Sequence, residues 1–189
     1  MFICEFGKKA RVYIKPDTET FAELAQTANA SAVALTPSCC TGNQVLRPDL
    51  IADPDKRRIV PLEWKQEWVY RCAARFAEDT PLHQRTSSTH SAFLMRDGAI
   101  IFEAEDIGRH NAIDKAVGYA MIHGIDLAAC CLFTSGRVPV DVMEKVVRAG
   151  IPVLISKEVP TAQAVAMADE YGVTLIGKAR PESFELYLC

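Results

Sequence analysis

The sequence predicts an α/β fold in which one sheet is covered by helices on both faces. In the C-terminal third of the chain, short apolar strands alternate with helical segments, and this alternation is typical of sheets buried on both sides. Gly150 and Gly172 follow the two helical segments directly, as expected at helix ends. The pattern gives strands at 127–133, 153–156 and 173–176, helices at 140–149 and 161–171, and a last short strand at 184–187.

The middle of the chain predicts a helix, a β-hairpin and a second helix. Apolar residues at helical spacing favour a helix from Leu62 to Ala77, with Trp64 at its start. After a polar turn at 86–90, we expect one strand up to residue 95 and a second, returning strand at 98–102. Arg96-Asp97-Gly98 forms the tight turn between them, because Asp-Gly is a strong hairpin signal. The next helix spans 111–123 and ends before Gly124, and its apolar face is formed by Ile113, Ala116, Val117, Ala120 and Met121.

The first 61 residues are predicted to form an N-terminal segment ahead of the main domain at 62–189, the two making one compact unit. The segment begins with an exposed strand at 10–15 and continues with a helix at 20–27 and an apolar strand at 32–35. Turn-forming residues and two adjacent cysteines then make a mobile loop at 36–43. The polar stretch 47–61 holds three prolines and is predicted to be a linker or an exposed excursion.

Composition narrows the range of functions. The net charge of −3 gives no basic face for nucleic acid, and no apolar run approaches the roughly 20 residues needed to cross a bilayer. The chain start lacks a signal-peptide pattern, so we expect a cytoplasmic protein. The seven cysteines are an odd number without any Cys-x-x-Cys pair, which favours free thiols in a reducing compartment over disulfides or a zinc site.

Polar loops follow three of the predicted strands, at 103–111, 134–139 and 156–161. Because ligands bind α/β sheets at the carboxyl ends of their strands, we expect these loops to form one rim that carries the site. The densest loop leads into Glu105-Asp106-Ile107-Gly108-Arg109-His110-Asn111-Ala112-Ile113-Asp114-Lys115.

This block is suited to binding an anion. Arg109 can form a forked contact with a phosphate, backbone N–H groups at the helix start near Asn111 favour negative charge, and Asp106 or Glu105 could hold Arg109 in place. An alternative is a capping network, with Asn111 as N-cap and Asp114 three residues later. At 135–137, Gly136 would allow close backbone approach and Arg137 would add positive charge, but a plain strand-to-helix turn is equally compatible.

The block resembles the formate dehydrogenase accessory sulfurtransferase family, FdhD. The resemblance extends from about residue 83 to the C-terminus, through Ser135-Gly136-Arg137, Met143-x-Lys145, Gly150-Ile151-Pro152 and Ala179-Arg180. It implies a three-layer α/β/α sandwich similar to the cytidine deaminases, with a mixed, mostly parallel sheet. It also implies a homodimer.

The resemblance implies a function in molybdenum cofactor maturation. Family members pass persulfide sulfur from a cysteine desulfurase to the bis(molybdopterin guanine dinucleotide) molybdenum cofactor, which they bind as a substrate. Formate dehydrogenase requires this cofactor. Cys39 matches the cysteine that carries the persulfide, and Cys40 is the alternate carrier; on composition alone both could be half-buried small hydrophobic residues. The residues expected to contact the guanine nucleotide are Lys178, Ala179, Arg180, Pro181, Glu182 and Ser183, with Arg109, His110, Asn111, Gly136 and Arg137.

The chain departs from the family pattern at several places. Ser87-Ser88 stands where the family has a glycine pair, so we expect a different approach to a ligand there. Lys178 replaces an aromatic residue, and the chain is expected to lack the family's N-terminal region. The expected lack of that region and the loss of the family's second loop cysteine leave an alternative, a non-catalytic chaperone that binds the molybdenum cofactor.

A zinc deaminase is disfavoured despite the related fold. Deaminases need His-x-Glu followed by Pro-Cys-x-x-Cys, whereas this chain has His90-Ser91-Ala92 and no such cysteine pair. We therefore expect no zinc and no metal ligands, and His90 is predicted to line the pocket or support the structure.

Overall fold

A computed structural model describes residues 2–6, 9–13, 58–78 and 80–188. Near the N-terminus, strands β1 (Phe2–Phe6) and β2 (Lys9–Tyr13) pair as an antiparallel hairpin, with Phe2 opposite Tyr13. β2 confirms the strand predicted at 10–15 as far as Tyr13. The predicted helix at 20–27, strand at 32–35 and cysteine loop at 36–43, and with it Cys39 and Cys40, lie outside the described residues.

The main sheet has six strands: β3 (His90–Arg96), β4 (Ala99–Asp106), β5 (Cys130–Thr134), β6 (Val153–Ser156), β7 (Thr174–Arg180) and β8 (Ser183–Leu188). Their order is β4-β3-β5-β6-β7-β8. The central pairings β5–β6 and β6–β7 are parallel, and the other three are antiparallel. Four strands, β4 to β7, therefore point in the same direction, which confirms a mixed sheet whose centre is parallel.

Five helices cover this sheet: α1 (Gln66–Ala77), α2 (Pro81–Thr86), α3 (Arg109–Ile122), α4 (Val140–Arg148) and α5 (Ala162–Tyr171). On one face, α3, α4 and α5 pack on alternate sheet residues such as Leu132 and Leu154. On the opposite face, α1 packs on Phe93, Phe133 and Ile155. The core thus has two apolar layers separated by the sheet, which is the three-layer α/β/α arrangement that the resemblance implies.

One edge of the sheet brings together the ends of five strands that position the polar loops. The carboxyl ends of β4 to β7 meet there with the start of β3, where His90 is opposite Asp106 and Ala92 is opposite Thr134. Thr134 is in turn opposite Ser156 on β6. The three polar loops predicted to share a rim are therefore on the same edge.

The β3–β4 hairpin confirms the Asp-Gly turn. Asp97 and Gly98 both have positive φ, 51° and 76°, as a tight turn between twisted antiparallel strands requires. The Trp68 side chain of α1 packs directly on Gly98, whose missing Cβ would lie 2.6 Å from Trp68 Nε1.

The helix ends differ from the sequence predictions for local reasons. α1 begins at Gln66, four residues after Leu62, because Lys65 has extended backbone with φ −121° and ψ 144°. α3 begins at Arg109 with Gly108 as N-cap, so the predicted capping role of Asn111 is wrong. Met121 is 68% exposed, and not part of the buried face.

Two further segments also differ. Residues Leu127–Ala129 form a short 3-10 helix, so the predicted strand at 127–133 begins only at Cys130. The last residues of the predicted linker at 47–61 are bonded to α5: the N–H of Ile59 donates to Tyr171 O at 2.8 Å, and the Arg58 guanidinium donates to Asp169 O at 3.0 Å. Most of that stretch lies outside the described residues.

The turn at Gly98 leads to a stability prediction. Gly98→Ala should lower the free energy of unfolding by about 2 kcal/mol, because alanine is strained at positive φ and its Cβ meets the Trp68 ring. Gly118→Ala is the matched control: it lies inside α3 with no atom within 4 Å of the added Cβ, so it should raise stability by about 0.5–1 kcal/mol. Urea denaturation measures both, and equal effects of the two variants would contradict the packing described here.

Candidate functional site

A cleft of about 810 Å³ opens at the rim of the main sheet. Its lining comes from the end of α1, from α2 and the turn that follows it, from the start of α3 and from the loops after β5 and β6. Of the residues expected to bind the nucleotide, Arg109, Gly136 and Arg137 line this cleft. His90 also lines it, as predicted.

The back of the cleft is fixed where β3 meets β5. The N–H of Ser135 donates to Ser91 O at 2.9 Å, and the N–H of Ser91 donates to Ser135 Oγ at 2.9 Å. Ser135 Oγ also lies 3.4 Å from His90 Nδ1. These bonds extend the ladder between the strands and hold the His90 ring at the cleft.

Gly136 allows the first turn of α3 to pack against the end of β5. A Cβ on Gly136 would lie 3.0 Å from both Cβ and Cδ of Arg109 and 3.5 Å from His90 Nδ1. The close approach predicted for this glycine is therefore an approach of the Arg109 side chain. Arg109 lines the cleft, and its Nε is buried with no hydrogen-bond partner among the described residues.

The carboxylates of the Glu105–Lys115 block bind elsewhere, and the expectation that one of them holds Arg109 is wrong. Asp106 accepts hydrogen bonds from Gly108 N and Asn111 Nδ2, each at 3.0 Å, and pairs with Lys115 Nζ at 2.7 Å. Burial opposes ionisation of Asp106, but these bonds outweigh it and keep its pKa below the usual value. Asn111 is exposed and does not line the cleft.

Glu105 instead binds the start of α2. Its carboxylate accepts hydrogen bonds from Leu82 N at 2.9 Å and His83 N at 2.8 Å, and from the hydroxyls of Thr80 and Thr89. These bonds outweigh the effect of burial and hold the pKa of Glu105 below its usual value. Neither α2 nor this role was predicted from the sequence, although Pro81 directly after Thr80 is a helix-start signal.

His110 is buried behind the cleft and does not line it. Its Nε2 lies 3.1 Å from Asp141 Oδ2 in the first turn of α4, and this hydrogen bond lowers the pKa of Asp141. His110 Nδ1 is buried with no partner in the described part of the chain. The pair therefore joins the N-terminal turns of α3 and α4.

The predicted contacts at 178–183 lie beside the cleft. The Arg180 guanidinium donates to Lys157 O at 2.5 Å and to Ala179 O at 2.9 Å, so it supports the Lys157 segment that lines the cleft. Lys178 pairs with Glu185 at 2.7 Å. Pro181, Glu182 and Ser183 are exposed at the turn from β7 to β8.

The cleft has an excess of positive charge. Arg109, Arg137 and Lys157 line it together with one carboxylate, Glu158, which is 3.8 Å from Lys157 Nζ. Burial, and then the positive charge of Arg109, lower the pKa of His90. Such a site favours anions, and an arginine fork is suited to phosphate.

The three cysteines whose side chains are described are core residues. Cys72, Cys130 and Cys131 are free and buried, and Cys131 and Cys130 belong to apolar clusters on opposite faces of the sheet. Burial raises the pKa of Cys72 and of Cys131 to about 12, so neither thiol ionises readily. The prediction that Cys130 and Cys131 are core thiols is confirmed.

Comparison with known proteins identifies the family. A model of the FdhD/NarQ family matches residues 3–189. The chain belongs to the FdhD/NarQ family. The sequence resemblance is therefore confirmed.

Individual relatives are similar over part of their length. The chain is 44% identical over 107 residues to the sulfur carrier protein FdhD of Thermoplasma volcanium, covering 56% of this chain and 38% of that protein. It is 35% identical over 159 residues to the sulfur carrier protein FdhD of Wolinella succinogenes, covering 81% and 53%. The chain thus spans about half or less of the length of these relatives.

A solved structure shares the fold. A protein from Desulfotalea psychrophila, described as a formate dehydrogenase accessory protein, has a TM-score of 0.63 and 28% identity over 69% of this chain and 60% of that one.

Among the residues that the structure describes, no helix is long and apolar enough to span a bilayer.

The charge of Arg109 should be measurable at His90. In Arg109→Gln the pKa of His90 should rise, because a positive charge that opposes protonation of the ring has been removed. Arg148→Gln removes an exposed arginine from the end of α4 and should leave it unchanged. NMR titration of the histidine ring resonances tests this, and an unchanged His90 in Arg109→Gln would show that the guanidinium does not face the ring.

Proposed function

We propose that this protein is a sulfur carrier in the maturation of formate dehydrogenase. It takes persulfide sulfur from a cysteine desulfurase and passes it to the bis(molybdopterin guanine dinucleotide) molybdenum cofactor, with Cys39 as carrier and Cys40 as the alternate. Membership in the FdhD/NarQ family and relatives named sulfur carrier protein FdhD support this role. The expected setting is the cytoplasm, and the expected assembly is a homodimer.

The observation that carries the proposal is the cationic cleft beside the end of β5. Its volume lies within the roughly 300–1,000 Å³ typical of small-molecule sites. Arg109, Lys157 and Arg137 all carry positive charge on its lining, and the buried Nε of Arg109 has no partner among the described groups. We assign this cleft to a phosphate of the guanine dinucleotide portion of the cofactor.

The loading step is a thiol–persulfide exchange. The Cys39 thiolate attacks the terminal sulfur of the desulfurase persulfide and forms a new S–S bond, while the S–S bond at the desulfurase breaks and its cysteine leaves as thiolate. No external oxidant or reductant is required. Cys72 and Cys131 are unsuited to this step because they are buried and their pKa values are raised to about 12.

A non-catalytic cofactor chaperone is the second candidate. The charged lining of the cleft can bind a phosphate of the cofactor without sulfur passing through Cys39. Sulfur transfer and cofactor binding must therefore be tested separately.

Sulfur loading is tested by incubating the chain with a cysteine desulfurase and cysteine. Peptide mass spectrometry should find one added sulfur atom on Cys39, and the modification should disappear in Cys39→Ser but persist in Cys40→Ser. Cys72 and Cys131 should stay unmodified, because they are fully buried. A chain that binds nucleotide but gains no sulfur on either cysteine of the 36–43 segment would favour the chaperone.

Nucleotide binding is tested by calorimetric titration with guanosine diphosphate. Arg109→Gln should weaken binding by about 10- to 100-fold, the range expected for the loss of a charged hydrogen bond. Arg180→Ala should weaken it less, since that side chain acts through Lys157. Arg148→Ala is the control, because it removes an exposed arginine outside the cleft. If Arg109→Gln binds guanosine diphosphate as tightly as the wild type, the cleft is not the nucleotide site.

A further inference from the structure

One wall of the cleft contains no buried apolar side chain, and its ring contact with α1 is that of His83 with Phe76, at 6.4 Å between centroids. It consists of α2 and the turn after it, which contribute His83, Ser87, Ser88 and Thr89 to the lining. α2 has only six residues, and none of them is buried. A helix this short has little stability by itself, so bonds from outside α2 must hold it in place.

Glu105 supplies those bonds. The N-cap residue of α2, Thr80, makes no side-chain capping bond to its own helix, and the first N–H groups of a helix need partners from elsewhere. Glu105, on β4, accepts from the N–H groups of Leu82 and His83 at 2.9 and 2.8 Å. Its pairing with both donors fixes α2 against the edge of the sheet.

The same bonds extend to the His83 ring. His83 Nδ1 lies 3.0 Å from Thr89 O, and Thr89 Oγ1 donates to Glu105 at 3.4 Å. Because a carbonyl only accepts hydrogen bonds, His83 Nδ1 must carry the proton in this contact. Nε2 is then the ring nitrogen that is available to a molecule in the cleft.

We propose that Glu105 is a positioning residue of the cleft, which holds α2 so that His83 presents Nε2 to the bound nucleotide. The ligand contact rests on the proposed function, whereas the effect of Glu105 on the His83 ring does not. The Glu105–Lys115 block would then contribute twice to the site, through Arg109 in the lining and through the bonds of Glu105 to the helix that carries His83.

The test compares Glu105→Gln with Glu103→Gln. Glutamine at 105 keeps the size of the side chain but replaces one acceptor oxygen with an amide that donates, so it cannot receive all the present bonds. Glu103 is two residues earlier on β4 and binds Arg75 of α1 at 2.7 Å, away from the cleft lining. It therefore controls for loss of a negative charge on the same strand.

The ligand-free measurement is nitrogen NMR of the His83 ring. Wild type and Glu103→Gln should show the ring proton on Nδ1, and Glu105→Gln should show a mixture of both tautomers. An identical His83 signature in all three proteins would overturn the positioning role. A purely structural loss of stability, measured by urea denaturation, would not by itself change the tautomer of the folded protein.

The ligand measurement is a double-mutant cycle with guanosine diphosphate. Glu105→Gln should weaken binding by about tenfold, and so should His83→Asn, which keeps an amide donor near Nδ1 but removes Nε2. The double variant should be no weaker than either single one, because both changes remove the same contact. Unchanged affinity in His83→Asn, or losses of affinity that add up in the double variant, would refute the contact between His83 and the nucleotide. If the wild type does not bind guanosine diphosphate, the nucleotide-binding part of the proposed function is refuted. The NMR signature of the His83 ring still decides the role of Glu105 in that case.

Discussion

Four strands of the main sheet, β4 to β7, end at the same edge, and this shared direction places the loop residues that line the cleft. β3 lies between β4 and β5 in the opposite direction, so its first residue, His90, reaches the edge where Thr134 and Ser156 end their strands. The sheet interior is apolar on both faces. Polar side chains can be accommodated only at its edge, which is why the candidate site is there and not inside the sandwich.

Pairing among the charged residues at this edge determines which charges remain for a ligand. The carboxylates of Asp106, Asp141 and Glu105 are engaged by Lys115, by His110 and by the start of α2, respectively. None of these contacts involves the buried Nε of Arg109. The acids of the block therefore build the scaffold, and none of them pairs with the buried Nε of Arg109, which lines the cleft.

Local patterns predicted those parts of the fold that depend on neighbouring residues. Alternating strands and helices, the Asp97-Gly98 turn and the shared rim follow from apolar periodicity and turn chemistry, and they are confirmed. α2 was missed because the group that stabilises its start, Glu105, is more than twenty residues away in sequence. The same long-range bond explains why Glu105 was wrongly expected to hold Arg109, and Gly108 displaced Asn111 as N-cap because the helix begins two residues earlier.

Ser87 shows how the departure from the family's glycine pair is accommodated. Its backbone is left-handed, with φ 50°, and its N–H donates to His83 O at 2.7 Å. A non-glycine residue in this region costs about 1–2 kcal/mol, so the bonds that anchor α2 must offset that strain. The backbone at Ser87 still adopts the conformation that glycine favours. The serine pair therefore changes the side chains on this wall of the cleft more than it changes the path of the backbone. Ser87 and Ser88 both line the cleft, where their hydroxyls add hydrogen-bond donors facing the same space as Arg109.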